Sequence, residues 1–428
     1  MKNYRYLIIG NSAAGIGAAE AIRAVDAVSP MAIVSDESYH TYSRALIAHY
    51  HAGKTPFEKM LYRPPDFYDK NHIDAHLGKR VVKVDFGGHS ADLSSGETLG
   101  WQKLLLATGG RPFIPKMEGL DKKGVSTFLS LDDAKKVEQH LGGAGRVVIV
   151  GGGLIGLQAA EALNRRGLDV TVVELLDRVL SPVLDPVGSQ IVEQVYRGRG
   201  VHILTGCSVQ AVVARRNEPD HAGGVLLSTG AEIPADLVIV AIGVVPRTEL
   251  AANGKVTIDR GMVVDTTMRT SVEDVYAAGD AVEVNDFVLQ TRRLIPIWPS
   301  AYLGGRTAGF NMAGDKRDFS GITGVNAGDF FGYPIISAGI INPQDGNEYE
   351  ILCVHDEQNR YYKKLLLKDN IIHGMVLAGD AIDRAGIYYG LMREATSVAD
   401  FKHRLLGEDP NLMLLSRPLR QAKFVKCK

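Results

Sequence analysis

The sequence predicts an α/β fold in which one strand–turn–helix design is used twice, followed by a separate C-terminal α/β domain. Two glycine-rich turns carry the first part of this prediction, and a late run of alternating strands carries the second. The first turn is Tyr6-Leu7-Ile8-Ile9-Gly10-Asn11-Ser12-Ala13-Ala14-Gly15, running into a helical stretch from Ile16 to Arg23. The second is Val147-Val148-Ile149-Val150-Gly151-Gly152-Gly153-Leu154-Ile155-Gly156, running into Leu157 to Arg165. In each, an apolar β-branched run stops at a glycine that permits a tight turn. The helix that follows offers free N–H groups and its positive dipole end to a pyrophosphate. One such turn is weak evidence, but two in a chain of 428 residues point to two Rossmann-like dinucleotide-binding domains.

Composition sets the limits. The length suits two or three domains, and 45% apolar residues supply proper cores. A net charge of −1 leaves no basic footprint for nucleic acid. No apolar run is long enough to span a bilayer. The start Met1-Lys2-Asn3-Tyr4-Arg5 leads straight into the first glycine turn, so it reads as the first strand and not as a secretory signal. A cytoplasmic location is therefore expected. Cys207, Cys353 and Cys427 are far apart, so neither a metal site nor an iron–sulfur cluster within this chain is expected. Cys427, next to the end, reads as a free thiol in a tail or as a contact to another chain.

Each glycine turn should be followed by an acid that accepts hydrogen bonds from an adenosine ribose. After the second turn, the strand Asp169-Val170-Thr171-Val172-Val173 closes on Glu174. A carboxylate there repels the extra phosphate of NADP, and Leu175 and Leu176 supply no basic substitute, so NAD is favoured; Arg178 lies close by. After the first turn, the strand Met31-Ala32-Ile33-Val34-Ser35 ends on Asp36-Glu37, and either acid suits the role. The middle glycine of that first turn is replaced by Ser12, still small enough for a pyrophosphate to approach.

Three later segments complete an ordered set. Lys103-Leu104-Leu105-Leu106-Ala107-Thr108-Gly109-Gly110-Arg111-Pro112 is a buried strand ending in a small-residue turn. Asp236 to Pro246 repeats that pattern, with Gly243 at its turn. The stretch Thr270 to Ala281 holds a short strand ending on Gly279-Asp280, which places a carboxylate at the opening of the next element. Together these five motifs resemble the two-dinucleotide flavoproteins related to the pyridine nucleotide–disulfide oxidoreductases, over most of the chain.

The resemblance implies FAD at the first turn and NAD(H) at the second. Gly10, Ser12 and Gly15 would lie under the FAD pyrophosphate, with Asp36 or Glu37 on its ribose and Asp280 on its ribityl chain and diphosphate. Thr108 and Gly109 would sit near the flavin. Gly151, Gly153, Ile155, Gly156, Glu174 and Gly243 would serve NADH. Disulfide reductases of this family carry a cysteine pair after the second strand of the FAD domain, and related NADH oxidases carry one cysteine. Here the region reads His40-Thr41-Tyr42-Ser43-Arg44-Ala45-Leu46-Ile47, so thiolate chemistry at the flavin is excluded on residue type. Tyr42-Ser43-Arg44 is similar to segments of rubredoxin reductases and of the flavin half of assimilatory nitrite reductases.

Arg44 and Gln158 are the candidate catalytic residues on this reading. Arg44 would stabilise negative charge on the reduced flavin, or would simply be a surface arginine paired with a neighbouring acid. Gln158 replaces a glutamate common in relatives, while Glu161 one turn on is kept; the neutral amide would leave Arg44 less neutralised and raise the flavin potential. Pro299 and Ser300 suit a helix start, with the helix running to about Met312 and its N-terminus toward the flavin. Trp298 would shield the flavin ring or line the electron exit, or be plain core.

The expected domains are 1–115 with 246–320 for FAD, 116–245 for NAD, and 321–428 as an interface domain. In the last, strands are expected at Glu350–His355, Tyr361–Leu367 and Ile371–Leu377, and helices at Ala385–Glu394 and Val398–Leu406. The end, Leu412 to Lys428, carries Arg417, Arg420, Lys423, Lys426 and Lys428, which reads as an arm gripping a partner or as a solvated tail.

With no cysteine at the flavin, the resemblance implies an oxidoreductase that passes electrons between NAD(H) and an external one-electron carrier. Rubredoxin, a ferredoxin or an iron–sulfur subunit of a larger complex fits, since similar cysteine-free proteins accompany carbon monoxide and phenylglyoxylate dehydrogenases. An NADH oxidase reducing oxygen at the flavin and a non-catalytic FAD/NAD-binding assembly module stay open, as do homodimerisation and the direction of electron flow.

Overall fold

The computed structural model describes residues 1–252 and 255–407 and divides them into two compact units. The first comprises Met1–Lys116, Thr127–Gln139 and Ile242–Ile322; the second comprises Met117–Ser126, His140–Ala241 and the chain from Thr323. This grouping differs from the expected domains, 1–115 with 246–320, 116–245 and 321–428, in two respects. The segment Thr127–Gln139 packs with the first unit, and the C-terminal stretch packs with the 140–241 region.

Both differences have polar causes. In the first unit, Tyr42 accepts the Leu131 amide at 3.0 Å, Arg44 donates to the Leu129 carbonyl at 3.3 Å, and Tyr39 donates to Asp132 at 2.5 Å. In the second, Asp185 caps the helix Pro186–Arg197 through the Gly188 amide and also receives Tyr362 Oη at 2.5 Å and Lys364 Nζ at 2.9 Å. Glu161 accepts the Phe331 amide at 2.9 Å, and Asn342 donates to the Ser181 and Leu184 carbonyls. A buried carboxylate with several donors is satisfied only while all its partners stay docked. These bonds fasten the C-terminal sheet to the glycine-turn half of its unit.

The first unit centres on a parallel sheet in the order Ile73–Leu77, Met31–Ser35, Lys2–Ile9, Thr98–Leu106 and Val275–Ala277. All five residues of Met31–Ser35 are buried, as expected for a strand covered on both faces. Ser90–Leu93 and Val81–Asp85 extend the sheet in antiparallel fashion from Thr98–Leu106. The helices Ala13–Val25 and Trp298–Met312 lie against each other so closely that Gly17, Gly305 and Gly309 are needed at the crossing. A Cβ at Gly305 would lie 2.7 Å from Ala14 Cα. This helix pair was not foreseen; its sequence signal is the spacing Gly305-x-x-x-Gly309.

The second unit repeats the parallel design with His202–Leu204, Asp169–Val173, Arg146–Val150 and Leu237–Val240 in that order. An antiparallel sheet of Val209–Arg215, Glu218–Leu227 and Glu232–Pro234 adjoins it in sequence. The C-terminal sheet is antiparallel, in the order Val325–Phe330, Tyr333–Gly339, Ile371–Ala378, Tyr361–Lys368, Glu350–Asp356. Its Tyr361–Lys368 and Ile371–Ala378 hairpin turns at Asp369 and Asn370, both with positive φ (51° and 58°), the backbone of a two-residue type I′ turn. The strands Val325–Phe330 and Tyr333–Gly339 were not anticipated.

The helix Ala385–Arg393 packs on this sheet. The helix expected over Val398–Leu406 does not form. That stretch holds turns and the short 3₁₀ segment Lys402–Arg404: its amides close onto carbonyls three residues back (Phe401 to Val398, Arg404 to Phe401, Leu405 to Lys402), and the stretch is tied down where Lys363 Nζ and Tyr388 Oη donate to the Leu405 carbonyl. Cys427 and the basic residues from Arg417 to Lys428 lie outside the described residues.

Candidate functional site

The first glycine turn is built around a contact that only glycine allows. Gly10 has φ +127°, and a methyl group there would overlap the Ala107 carbonyl of the neighbouring strand. Gly15 faces the Gly10 carbonyl in the same way. Ser12 is the N-cap of the helix Ala13–Val25, but its side chain makes no capping bond. The first-turn amides are therefore left for a ligand.

A cavity of about 460 Å³ opens at this turn. Its wall brings together Gly10, Ser12, Asp36, Glu37, Arg44, Thr108, Gly109, Asp280 and Trp298 from five separate stretches of sequence. Asp280 makes no hydrogen bond within the described residues, and burial pushes its carboxyl up, with Arg44 opposing. A half-buried acid without a donor, facing an open cavity beside a helix N-terminus, suits a ligand hydroxyl. Ile297, Trp298 and Ala301, from the start of the helix Trp298–Met312, line the same wall. The helix begins one residue before Pro299, with Ile297 as N-cap and not Ser300, which is buried. Trp298 meets Tyr62 edge-on at 4.8 Å, so it is a cavity wall with aromatic backing.

Arg44 is not an unneutralised cation. It forms an ion pair with Glu37, whose other oxygen accepts Tyr42 Oη at 2.8 Å. Burial works against the Arg44 charge, but Glu37, Tyr42 and Asp36 outweigh it and hold the guanidinium protonated. Arg44 thus has a neutralising acid seven residues away on its own segment, independent of the residue at position 158. Gln158 itself lies in the second unit, on the helix Leu154–Arg165, and Glu161 of that helix is committed to Arg165 and Phe331.

Both candidate ribose acids of the first turn are engaged: Glu37 by Arg44, and Asp36 by Arg247 at 2.8 Å. A second cavity, also about 460 Å³, continues from Gly10 and Asp36 toward Lys79, Arg80, Val81, Arg111 and Leu250. Sequence reasoning did not single these out, nor Arg247. The one available signal was Pro246-Arg247-Thr248-Glu249, which follows the second small-residue turn. Thr108 Oγ1 donates to the Arg247 carbonyl at 2.6 Å, and Gly243 (φ +130°) accepts the Phe113 amide through its carbonyl.

The second turn repeats the first. Gly151 has φ +110°, Gly156 faces the Gly151 carbonyl, and nothing lies within 4 Å of a Cβ placed on Gly153, the N-cap of the helix Leu154–Arg165. Gly153 thus leaves open space over the free amides, among them that of Ile155. Glu174 reaches back to the turn, accepting the Gly152 amide at 2.6 Å and the Leu176 amide at 2.8 Å. Arg178 is bound to Asp177 at 2.9 Å, so its charge is compensated on the spot.

Residues 4–305 match the family model described as pyridine nucleotide-disulphide oxidoreductase. The chain belongs to this family. Residues 325–395 match the rubredoxin NAD+ reductase C-terminal domain. The NADH-dependent phenylglyoxylate dehydrogenase subunit epsilon of Aromatoleum evansii is 33% identical over 95% of this chain and 96% of its own length. The rubredoxin-NAD(+) reductase of Pseudomonas putida is 32% identical over 64% of this chain and 71% of its own length. Among solved structures, an NAD-dependent persulfide reductase from A. fulgidus superposes with a TM-score of 0.85 at 28% identity, covering 93% of this chain and 78% of that one.

As a member of the pyridine nucleotide-disulphide oxidoreductases, the protein is an FAD- and NAD(H)-dependent oxidoreductase. The free amides at the first turn, the unpartnered Asp280 and the adjoining cavities suit FAD. No helix among the described residues is long and apolar enough to cross a membrane.

Proposed function

We propose that this protein passes electrons between NAD(H) and a separate iron–sulfur or rubredoxin-type protein, free in solution or as a subunit of a stable complex. The observation that carries this reading is the cavity wall around Arg44, where the segment that carries cysteine in disulfide reductases of the family holds an arginine paired with Glu37 and no cysteine lines the cavity. FAD, when bound, exchanges two electrons with a nicotinamide and single electrons with a metal centre. Without a thiol relay in that wall, reducing equivalents pass to an outside acceptor. The full-length likeness to a dehydrogenase subunit supports a protein acceptor or donor.

In this reading Gly10, Ser12 and Gly15 bind the FAD pyrophosphate through backbone amides, and Asp280 accepts from the ribityl chain. Arg44, held protonated by its pairing with Glu37, offers its guanidinium N–H donors where negative charge collects on reduction. Gly151, Gly153, Ile155, Gly156 and Glu174 bind NAD(H), with Glu174 turning away a 2′-phosphate. The region from 321 onward serves as the interface domain.

The test is anaerobic NADH-driven reduction of rubredoxin, a ferredoxin and methyl viologen, set against oxygen uptake by the same holoprotein. Rapid carrier reduction with slow oxygen uptake is expected. Oxygen consumption that outpaces every carrier would replace this reading with that of an NADH oxidase.

A further inference from the structure

The two cavities of the first unit share one wall, bordered on both sides by Gly10, Ser35, Asp36, Thr108 and Arg247. At that wall Arg247 Nη1 donates to Asp36 Oδ2 at 2.8 Å, joining segments 211 residues apart. Asp36 directly follows the strand Met31–Ser35, and Arg247 directly follows the strand Val244–Pro246. The Arg247 backbone is pinned on both sides of its Cα. Its amide donates to the Gly109 carbonyl at 2.9 Å, and its carbonyl accepts from Thr108 Oγ1 at 2.6 Å. Only the side chain is left to move. The two charged side chains are 38% and 40% exposed, so water can replace the bond when it opens.

We propose that the Asp36–Arg247 ion pair is a clasp that opens to admit FAD and recloses across the bound dinucleotide, so that it sets the rate of FAD release. The proposal rests on the assignment of both cavities to FAD. A dinucleotide occupying both has to pass the Gly10 turn, and the ion pair stands at that passage. Asp36 then acts as a positioning residue through Arg247 and does not itself hold the ribose. The two roles differ in how their losses combine, since coupled partners are not additive.

The experiment follows FAD release from the intact holoprotein by the rise in flavin fluorescence on dilution. A partly exposed ion pair contributes up to about 1 kcal/mol, so Arg247→Ala and Asp36→Ala should each speed release roughly threefold to fivefold. The double variant should be no faster than either single one, and the charge-swapped Asp36→Arg/Arg247→Asp protein should return toward the slow rate. Added salt should speed release from the unsubstituted protein and leave Arg247→Ala unchanged. Circular dichroism spectra of the apoproteins should be the same throughout, and apoprotein stability should fall by no more than the roughly 1 kcal/mol of the pair itself, which separates a clasp from a fold defect. Unsubstituted release rates in Arg247→Ala, or losses that add in the double variant, would overturn the clasp. A purified chain that takes up no FAD would overturn the cavity assignment itself.

Discussion

Replacing Gly305 by alanine tests whether the contact between the helices Ala13–Val25 and Trp298–Met312 governs the cofactor turn. The new Cβ would lie 2.7 Å from Ala14 Cα and nearer still to its carbonyl oxygen, whereas ordinary contact begins near 3.4 Å. The obstacle is backbone, which cannot rotate aside, so the helices must part locally by at least about 0.7 Å. Overpacking of this kind destabilises by about 1–3 kcal/mol. Alanine's better helix propensity returns about 0.5–1 kcal/mol, leaving a net loss of up to about 2.5 kcal/mol. At the scale of a unit of roughly 200 residues that lowers the melting temperature by up to about 10 °C. Ala14 stands in the first helical turn after Gly10 and Ser12, so the displacement also reaches the amides offered to the pyrophosphate. Both effects can be read together, from thermal unfolding by circular dichroism and from the FAD:protein ratio after desalting. Gly390→Ala is the matched control, because a Cβ there meets nothing within 4 Å and the substitution should be neutral or slightly stabilising. Unchanged melting and full FAD content in Gly305→Ala would show that this close contact is not a constraint.

Asp185→Ala removes a helix cap and strands Tyr362 Oη and Lys364 Nζ in a buried site, so a loss of about 3–5 kcal/mol is expected in urea unfolding, with early proteolysis in the C-terminal sheet. Asp280→Asn should weaken FAD retention yet stabilise the apoprotein. Burial raises the folded Asp280 value above its ordinary 3.8, so the folded chain binds more protons than the unfolded one and stability falls as pH rises through that window. The gain from asparagine should therefore be full above the raised value and vanish below about pH 4 in apoprotein unfolding curves. Glu174→Ala deletes two charge-assisted bonds to the Gly152 and Leu176 amides together with the ribose acceptor, so KM for NADH should rise about tenfold or more, and the preference for NADH over NADPH should narrow. An unchanged ratio of kcat/KM for the two nucleotides would contradict the discriminating role of Glu174.

Much of the architecture is legible in the residues because it is local. A β-branched run that stops at a glycine before a small-residue helix has one economical solution, and Gly10 and Gly151 both adopt the positive φ that the turn requires. The strands Met31–Ser35 and Asp169–Val173, the hairpin at Asp369-Asn370 and the helix from Ala385 follow from periodicity and turn chemistry in the same way. The helix expected over Val398–Leu406 fails for the opposite reason. Its pattern is compatible with a helix, but its amides close onto carbonyls three residues back, while Lys363 and Tyr388 from distant positions hold the Leu405 carbonyl.

The identity and order of the glycine turns, the acids that follow them and the missing cysteine beside Arg44 are properties of the sequence alone. They suffice for an FAD- and NAD(H)-dependent oxidoreductase. Which charges face one another is a matter of tertiary structure. No spacing rule pairs Asp36 with Arg247, ties Asp185 to Tyr362 and Lys364, or groups Thr127–Gln139 with the first unit. Ion pairs and buried hydrogen bonds depend on distances across folded elements, and those distances exist only once the sheets have brought the elements together.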